Sequence, residues 1–168
     1  MTDIFKSVSV VREDMDEPAG IYARRIDYLD RDVQLGVAGD RVIAVSFPET
    51  PAADAGDDHP LLDRIEAYFE GETVAFESTT VALTMASDHR EVLETLRSIP
   101  YGEGITVEQL VRMTPGLDPD SDEDIRLVRT ALAENPAPLL LPDHRVRDGP
   151  SAAPPAVEQK LRSIEGLA

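Results

Sequence analysis

The chain has 168 residues, 42% of them hydrophobic, which is enough for one ordinary domain or two small ones that share an interface. It carries 33 acidic and 16 basic side chains, a net charge of −17, and it contains no cysteine. The lack of cysteine excludes disulfides, thiolate metal sites and cysteine nucleophiles, and the hydrophobic content argues against wholesale disorder.

The acidic excess is spread along the chain. Residues 1–85 carry 18 acidic and 7 basic side chains, and residues 86–168 carry 15 and 9. A localised acidic tail would indicate an interaction segment. A spread excess with only two lysines, Lys6 and Lys160, favours a halophilic protein, because at 1 M salt the Debye length is about 3 Å and self-repulsion is screened. An ordinary acidic cytosolic protein is the alternative.

Membrane and targeting segments are not predicted. No apolar run approaches the roughly 18 residues of a membrane helix, and residues 1–14 lack an apolar segment followed by a small-residue cleavage site. We therefore expect a soluble, cytoplasmic protein. The histidines His59, His89 and His144 lie far apart without ligand spacing, so no metal site and no cofactor are expected.

The first half is predicted to be a small α/β domain, residues 1–86. Three β-rich runs, residues 21–29, 33–37 and 41–47, are separated by tight turns and predict an antiparallel meander. A helix is predicted from Pro60 to just before Gly71, with one apolar face. Its face comprises Leu61, Leu62, Ile65, Tyr68 and Phe69. Residues 73–85 are expected to form a further extended strand.

From His89 onward the apolar period is helical. Helices are predicted up to Pro100, after Thr106, and from Ser121 to the Asn135-Pro136 dipeptide. A short buried strand at residues 139–141 and a last helix closed by Gly166 complete the chain. Short successive helices followed by a strand are typical of a winged helix-turn-helix, a nucleic-acid-binding fold, here over residues 87–168.

Several motifs of the second half occur in a fixed order. They are Ile99-Pro100-Tyr101-Gly102-Glu103, Arg126 nine residues before Asn135-Pro136, Pro142-Asp143-His144-Arg145-Val146, and Lys160 with Glu165-Gly166. In this order they resemble the IPYGE, R-A-V-G-x-A-x-x-x-N-P, P-C-H-R-V and K-x-x-L-L-x-x-E-G motifs of the O6-alkylguanine-DNA alkyltransferases. Residues 59–71 are also similar to the N-terminal domain of that family. The likeness covers residues 20–168 and identifies a cysteine-less, haloarchaeal alkyltransferase-like member.

The resemblance implies a ribonuclease H-like first domain and a winged-helix domain that binds double-stranded DNA and rotates an alkylated guanine out of the stack. Arg126 would fill the vacated position, and the other DNA-facing basic residues would be Arg129, Arg145 and Arg147. The lesion pocket would comprise Pro142, Asp143, Val146 and Val107. Asn135 matches the residue that braces the active-site turn, and His144 and Glu165 match the pair that activates the nucleophile.

The departures from the family pattern surround the same pocket. Asp143 stands where the family has its cysteine, and a carboxylate is a poor nucleophile toward an alkyl ether, so we expect no enzymatic activity. Without a thiol to activate, His144 and Glu165 are expected to be a structural pair. An ionised Asp143 would also repel N1 of O6-alkylguanine, which has lost its proton. Val107 replaces a tyrosine, Arg129 replaces a glycine, and the lid before the last helix is shorter and lacks its tyrosine.

Two functions follow from these observations. The first is a monomeric, non-catalytic DNA-repair protein that recognises alkylated or modified guanine, with nucleotide excision repair proteins as possible partners. The second is a degenerate paralogue that keeps the fold for protein interaction and binds no lesion. A different enzymatic use of Asp143 and His144 is a third reading. Five carboxylates at residues 118–124 either repel DNA phosphate at low salt or simply favour the start of the following helix.

Overall fold

The computed structural model describes residues 20–167. The predictions that concern residues 1–19, including the lack of a targeting segment, lie outside this range, as does Ala168. None of the helices among the described residues is both long enough and apolar enough to cross a bilayer.

The predicted antiparallel meander is confirmed. Strands β1 (Gly20–Ile26), β2 (Arg31–Ala38) and β3 (Arg41–Ser46) form one sheet in the order β1-β2-β3. The first run ends earlier than expected, because residues Asp27–Leu29 form a 3-10 turn and Asp30 adopts a left-handed φ of 56°. Gly39, with φ 64°, supplies the second reversal, which places the three strands side by side.

Helix α1 (Pro60–Phe69) packs its predicted apolar face against this sheet. His59 caps its N-terminus, where Nδ1 accepts a hydrogen bond of 3.1 Å from the backbone N–H of Leu61. Gly71 follows the helix with φ 101°, a conformation that favours glycine. The helix brings Tyr68, which is 0% exposed, toward the second half of the chain.

The prediction of a strand over residues 73–85 was wrong. The segment has no regular structure on either side of a turn, and its sheet pairing is one parallel bridge between Val42 and Val81. Its carbonyls are instead bound by side chains, since the guanidinium groups of Arg64 and Arg97 donate to three of them. Arginine donors therefore satisfy backbone that a neighbouring strand would otherwise pair.

The described part of the second half contains four α-helices, α2 (Ser87–Leu96), α3 (Val107–Met113), α4 (Asp122–Ala133) and α5 (Pro155–Ile164). Thr106 and Gln109 form a capping box on α3, and the hydroxyl of Ser121 accepts from Asp124 N–H at the start of α4. Helices α2, α3 and α4 pack against one another. The starts of α3 and α4 thus follow the predicted capping residues, whereas α2 and α5 begin without a side-chain cap.

The predicted strand at residues 139–141 was also wrong. Its leucines are buried as expected, but they form a tight turn with a bridge between Pro138 and Leu141. Leu139 has a φ of 84°, which reverses the chain before a strand can extend. The described residues thus form a small α/β fold with a three-stranded antiparallel sheet and five α-helices, and neither the ribonuclease H-like sheet nor a β-wing is confirmed.

One buried cluster runs from the sheet and α1 to the helices of the second half, through residues such as Leu35, Ile65, Leu110 and Leu161. The boundary between residues 86 and 87 falls immediately before α2, and the division into two domains stays a prediction. The shared core fixes the turn between α4 and α5 against α1, and this turn carries the site.

Candidate functional site

The segment Pro142–Val146 forms the centre of the site. Residues Asp143–Arg145 make a single 3-10 turn, and the exposed fractions of Asp143 and His144 are both 0%. Asn135, just after α4, braces this turn. Its Nδ2 donates to the Leu141 carbonyl at 2.8 Å and to the Asp143 carboxylate at 3.0 Å, while its Oδ1 accepts from Ala137 N–H at 2.9 Å.

The Asp143 carboxylate is hydrogen-bonded on both oxygens by its own chain. Oδ1 accepts from the Ser151 hydroxyl at 2.6 Å, and Oδ2 accepts from Ala152 N–H at 2.9 Å and from Asn135. Burial raises the pKa of Asp143 above its usual value, although the bonds from Ser151 and Ala152 oppose this. The carboxylate is thus engaged on the inside of the fold.

Glu165, directly after α5, accepts five hydrogen bonds. Its Oε1 binds Gly102 N–H at 3.1 Å and Arg145 Nε at 2.8 Å. Its Oε2 binds the Tyr68 hydroxyl at 2.5 Å, His144 Nε2 at 2.8 Å and Arg145 Nη2 at 3.0 Å. Burial alone would raise the pKa of Glu165, but the bonds from His144 and Arg145 hold it well below its usual range. One carboxylate therefore joins α1, the loop after α2, the 3-10 turn and α5.

His144 occupies the position between this carboxylate and the 3-10 turn. Its Nε2 lies 2.8 Å from Glu165 Oε2, and its Nδ1 is buried without a hydrogen-bond partner among residues 20–167. The structure places His144 and Glu165 in direct contact, and the bond ties the end of α5 to the turn that carries Asp143; the structural role of the pair stays a prediction.

The four residues predicted to line a lesion pocket are buried, and a loop lies against them. We call residues 148–152 the strap. The Asp148 carboxylate accepts from Val107 N–H at 2.7 Å. A Cβ built on Gly149 would lie 3.0 Å from a Val107 methyl group, 3.1 Å from a Val146 methyl group and 2.9 Å from Leu132. Since Val107 and Val146 are 3% and 0% exposed, the strap backbone packs directly on the predicted pocket wall.

The arginines predicted to face DNA separate into two groups. Arg126 and Arg129 are exposed, one turn apart on α4, and Arg147 is exposed just after the 3-10 turn. Among the described residues none of these three forms an ion pair, whereas Arg24, Arg112 and Arg162 each face a carboxylate.

Arg145 is 8% exposed, and its guanidinium group binds Glu165 and the Ile99 carbonyl, the latter at 2.6 Å. In this arrangement its donors are directed into the fold, so it is not available to a phosphate. The structure brings Arg145 together with His144 and Glu165 rather than with the exposed arginines.

The acidic approach to α4 is partly a local capping structure. The Asp124 carboxylate accepts from Asp118 N–H at 2.9 Å, and the Asp118 carboxylate accepts from Asp120 N–H at 2.9 Å. These bonds order the loop before α4, and the helix start itself is capped by Ser121, whose hydroxyl accepts from Asp124 N–H at 3.2 Å. No cluster of three or more His, Asp or Glu side chains suited to a metal ion occurs in residues 20–167.

Sequence reasoning missed Tyr68, Asp148 and Ser151 as members of the site. Tyr68 was placed on the apolar face of α1, and its hydroxyl reaches a carboxylate 97 residues later in the chain. Ser151 lies in a loop of small residues and prolines without a recognisable motif. A buried aspartate does indicate that donors lie nearby, but not which residues supply them.

Comparison with known proteins gives a consistent result. Residues 87–161 match the family described as 6-O-methylguanine DNA methyltransferase, DNA binding domain. A methylated-DNA–protein-cysteine methyltransferase from Methanopyrus kandleri is 32% identical over 109 residues, which are 64% of this chain and 78% of that protein.

Solved structures show the same fold. A variant of the Mycobacterium tuberculosis O6-methylguanine methyltransferase superposes with a TM-score of 0.68 at 20% identity, over 89% of this chain and 92% of that chain. The M. tuberculosis protein in complex with DNA superposes with a TM-score of 0.65 at 21% identity, over 88% and 94%.

Proposed function

The chain belongs to the methylated-DNA–protein-cysteine methyltransferase family, and on that basis we propose that it is a DNA-repair protein that binds duplex DNA without transferring an alkyl group. In this proposal it recognises alkylated or modified guanine as a non-catalytic, alkyltransferase-like monomer in the cytoplasm and passes the lesion to excision repair proteins.

The observation that best supports DNA binding is the exposure of Arg126 and Arg129 on α4. In a chain of net charge −17, these two exposed side chains on one face of α4 form no ion pair among the described residues. Phosphate and base contacts need such free guanidinium groups, because Arg binds both by paired N–H donors. Since Arg145 is buried against Glu165, the proposed DNA contacts are Arg126, Arg129 and Arg147.

The lack of alkyl transfer rests on the chemistry at Asp143. The chain has no cysteine, and the carboxylate at the nucleophile position accepts hydrogen bonds from Ser151, Ala152 and Asn135. Attack would require breaking these bonds and exposing a weaker nucleophile than a thiolate. Incubation with a duplex that carries an isotopically labelled methyl group on guanine should leave no label on the protein. Label on Asp143 would overturn this part of the proposal.

The second candidate is a degenerate paralogue that keeps the fold for protein interaction. The closely packed strap favours it, since Gly149 lies where Val107 and Val146 would otherwise face an extrahelical base. Such a protein would not discriminate between modified and unmodified guanine.

A binding experiment separates the two candidates. Affinities for duplexes with guanine, O6-methylguanine or a bulkier O6-alkylguanine are measured from about 0.1 M to molar KCl, for wild type, Arg126→Ala and Arg129→Ala. We expect Arg129→Ala to weaken all duplexes alike and to reduce the salt slope by about one, as for loss of one phosphate contact. Arg126→Ala should lose discrimination, at about 1–3 kcal/mol per contact.

The matched control is Arg41→Ala, which removes an exposed arginine of β3 and changes the net charge equally. It should bind as wild type does. Failure of the wild type to bind any duplex at any salt concentration would contradict DNA binding and leave the second candidate.

Adaptation to concentrated salt, and with it a haloarchaeal origin, belongs to the same proposal. It is supported by the spread of 33 acidic side chains over the chain. In molar salt, phosphate contacts contribute less, so contacts made by Arg126 inside the duplex would carry more of the affinity.

A further inference from the structure

The strap, residues 148–152, is fixed to the site at both ends. At one end the Asp148 carboxylate accepts from Val107 N–H at 2.7 Å. At the other end the Ser151 hydroxyl donates to Asp143 at 2.6 Å and Ala152 N–H donates at 2.9 Å. The hydroxyl oxygen of Ser151 also accepts from Ala153 N–H at 3.1 Å, which fixes the rotamer of the serine.

Between these two ends the strap occupies the space next to Val107 and Val146. The backbone of Gly149 approaches Leu132, Val107 and Val146 so closely that a Cβ would stand 2.9–3.1 Å from all three side chains. These distances are shorter than ordinary carbon contacts of about 3.5–4.0 Å, so no room is left for a planar base beside Val107 and Val146.

We propose that Asp143 is a latch that holds the strap over the base position, so that this chain contacts duplex DNA without admitting an extrahelical base until the strap is released. The strap is a property of the free chain, and only its link to base entry rests on the proposed function.

The latch is specific to a carboxylate acceptor. Three donors converge on the two Asp143 oxygens, and two of them belong to the strap. A hydrogen bond to a buried charged group contributes more than a neutral one. Loss of the Ser151 hydroxyl leaves Asp143 held to the strap by one backbone donor, which raises the frequency with which residues 148–152 leave the site.

Because the chain has no cysteine, one introduced thiol reports opening without background. Val107→Cys places a thiol directly beneath Gly149, and Val128→Cys places one in the core on α4, where Val128 is 0% exposed. The rate of labelling by a maleimide is measured on the full chain in molar KCl without DNA. We expect both thiols to react slowly in the otherwise unchanged chain.

Ser151→Ala should raise the labelling rate of the thiol at position 107 by roughly tenfold, the factor that corresponds to about 1.4 kcal/mol. The labelling rate of the thiol at position 128 should not change. Ser98→Ala is the matched control, because it removes a serine hydroxyl bond to the Thr95 carbonyl at an exposed helix end. Equal acceleration at positions 107 and 128 would indicate general loosening and would overturn the latch. Fast labelling at position 107 with Ser151 present would do the same.

The link to base entry is tested with 2-aminopurine next to O6-methylguanine in a duplex, because its fluorescence rises when neighbouring bases unstack. The wild type should give a fluorescence rise that is limited by release of the strap, and Ser151→Ala should give a larger rise at the same fraction bound. Equal fluorescence from the wild type and Ser151→Ala, with binding intact, would refute the role of the strap in base entry. No binding by either variant would instead refute the proposed function, while the labelling result would still stand on its own.

Discussion

Replacement of Glu165 by glutamine should separate the role of the buried carboxylate from the rest of the site. The side chain is 0% exposed and accepts five hydrogen bonds, two of them from the Arg145 guanidinium group. In Glu165→Gln the new amide NH₂ group faces donors whichever way it turns, and Arg145 loses its charge partner. Removing one member of a buried ion pair costs about 3–5 kcal/mol. For a chain of this size that lowers Tm by about 6–20 °C.

The pH dependence of the free energy of unfolding provides a second, independent test of the Glu165 carboxylate. The pKa of Glu165 lies well below its usual range in the folded chain, so the unfolded state binds a proton first as the pH falls. The stabilisation is therefore complete above the unfolded pKa of about 4.3 and is lost as the pH falls below it. The free energy of unfolding of the wild type should therefore fall as the pH drops below about 4.3. Glu165→Gln should lack the part of this decrease that comes from protonation of Glu165.

The assay is denaturant unfolding in molar KCl at several pH values between about 3 and 7, and the matched control lies on the same chain segment. Glu158 on α5 pairs with Arg162 at 2.8 Å, but both side chains are more than a fifth exposed. Glu158→Gln should cost only about 0.3–0.5 kcal/mol, as for other helix-surface pairs. If Glu165→Gln costs no more than Glu158→Gln, the carboxylate does not join the elements as we describe.

Two further predictions concern the strap and the surface. Gly149→Ala should lower the free energy of unfolding by about 1–3 kcal/mol in chemical denaturation, because its Cβ would overlap three side chains. In the control Gly36→Ala the new Cβ meets nothing nearer than 3.8 Å, so the loss should be smaller. Equal losses would contradict close packing at Gly149. Dialysis from molar to about 0.1 M KCl should lower Tm, because repulsion among 33 acidic side chains is then less screened; an unchanged Tm would favour an ordinary acidic protein.

Local patterns predicted the elements whose physics is local. The meander at residues 20–46 and the helix from Pro60 to Phe69 depend on turn residues, caps and an apolar face, and all of these are visible in sequence. The two wrong strands were assigned from β-branched or leucine-rich composition, which reports burial rather than pairing. At residues 73–85 the missing strand partner is replaced by Arg64 and Arg97.

In the site, contacts between residues far apart in the chain could be predicted only where family motifs indicate them. The pairing of His144 with Glu165 was predicted because family motifs carry it, and the geometry agrees. The burial of Arg145 was not predicted, since arginine usually lies at the surface unless it is paired. Its partners, Ile99 and Glu165, lie 46 and 20 residues away along the chain. Only the fold brings them together.

The aspartate at the nucleophile position and the position of the strap are physically linked, because the two share hydrogen bonds. A carboxylate with 0% exposure is costly unless donors surround it. Asn135 supplies one donor to Asp143, and the other two come from the strap. Without the strap the chain would offer this carboxylate only the Asn135 donor, so the bonds from Ser151 and Ala152 stabilise both Asp143 and the closed strap. In our proposal, the residue at the nucleophile position thus also holds the strap over the base position, and Arg126 and Arg129, which are exposed on α4, contact DNA.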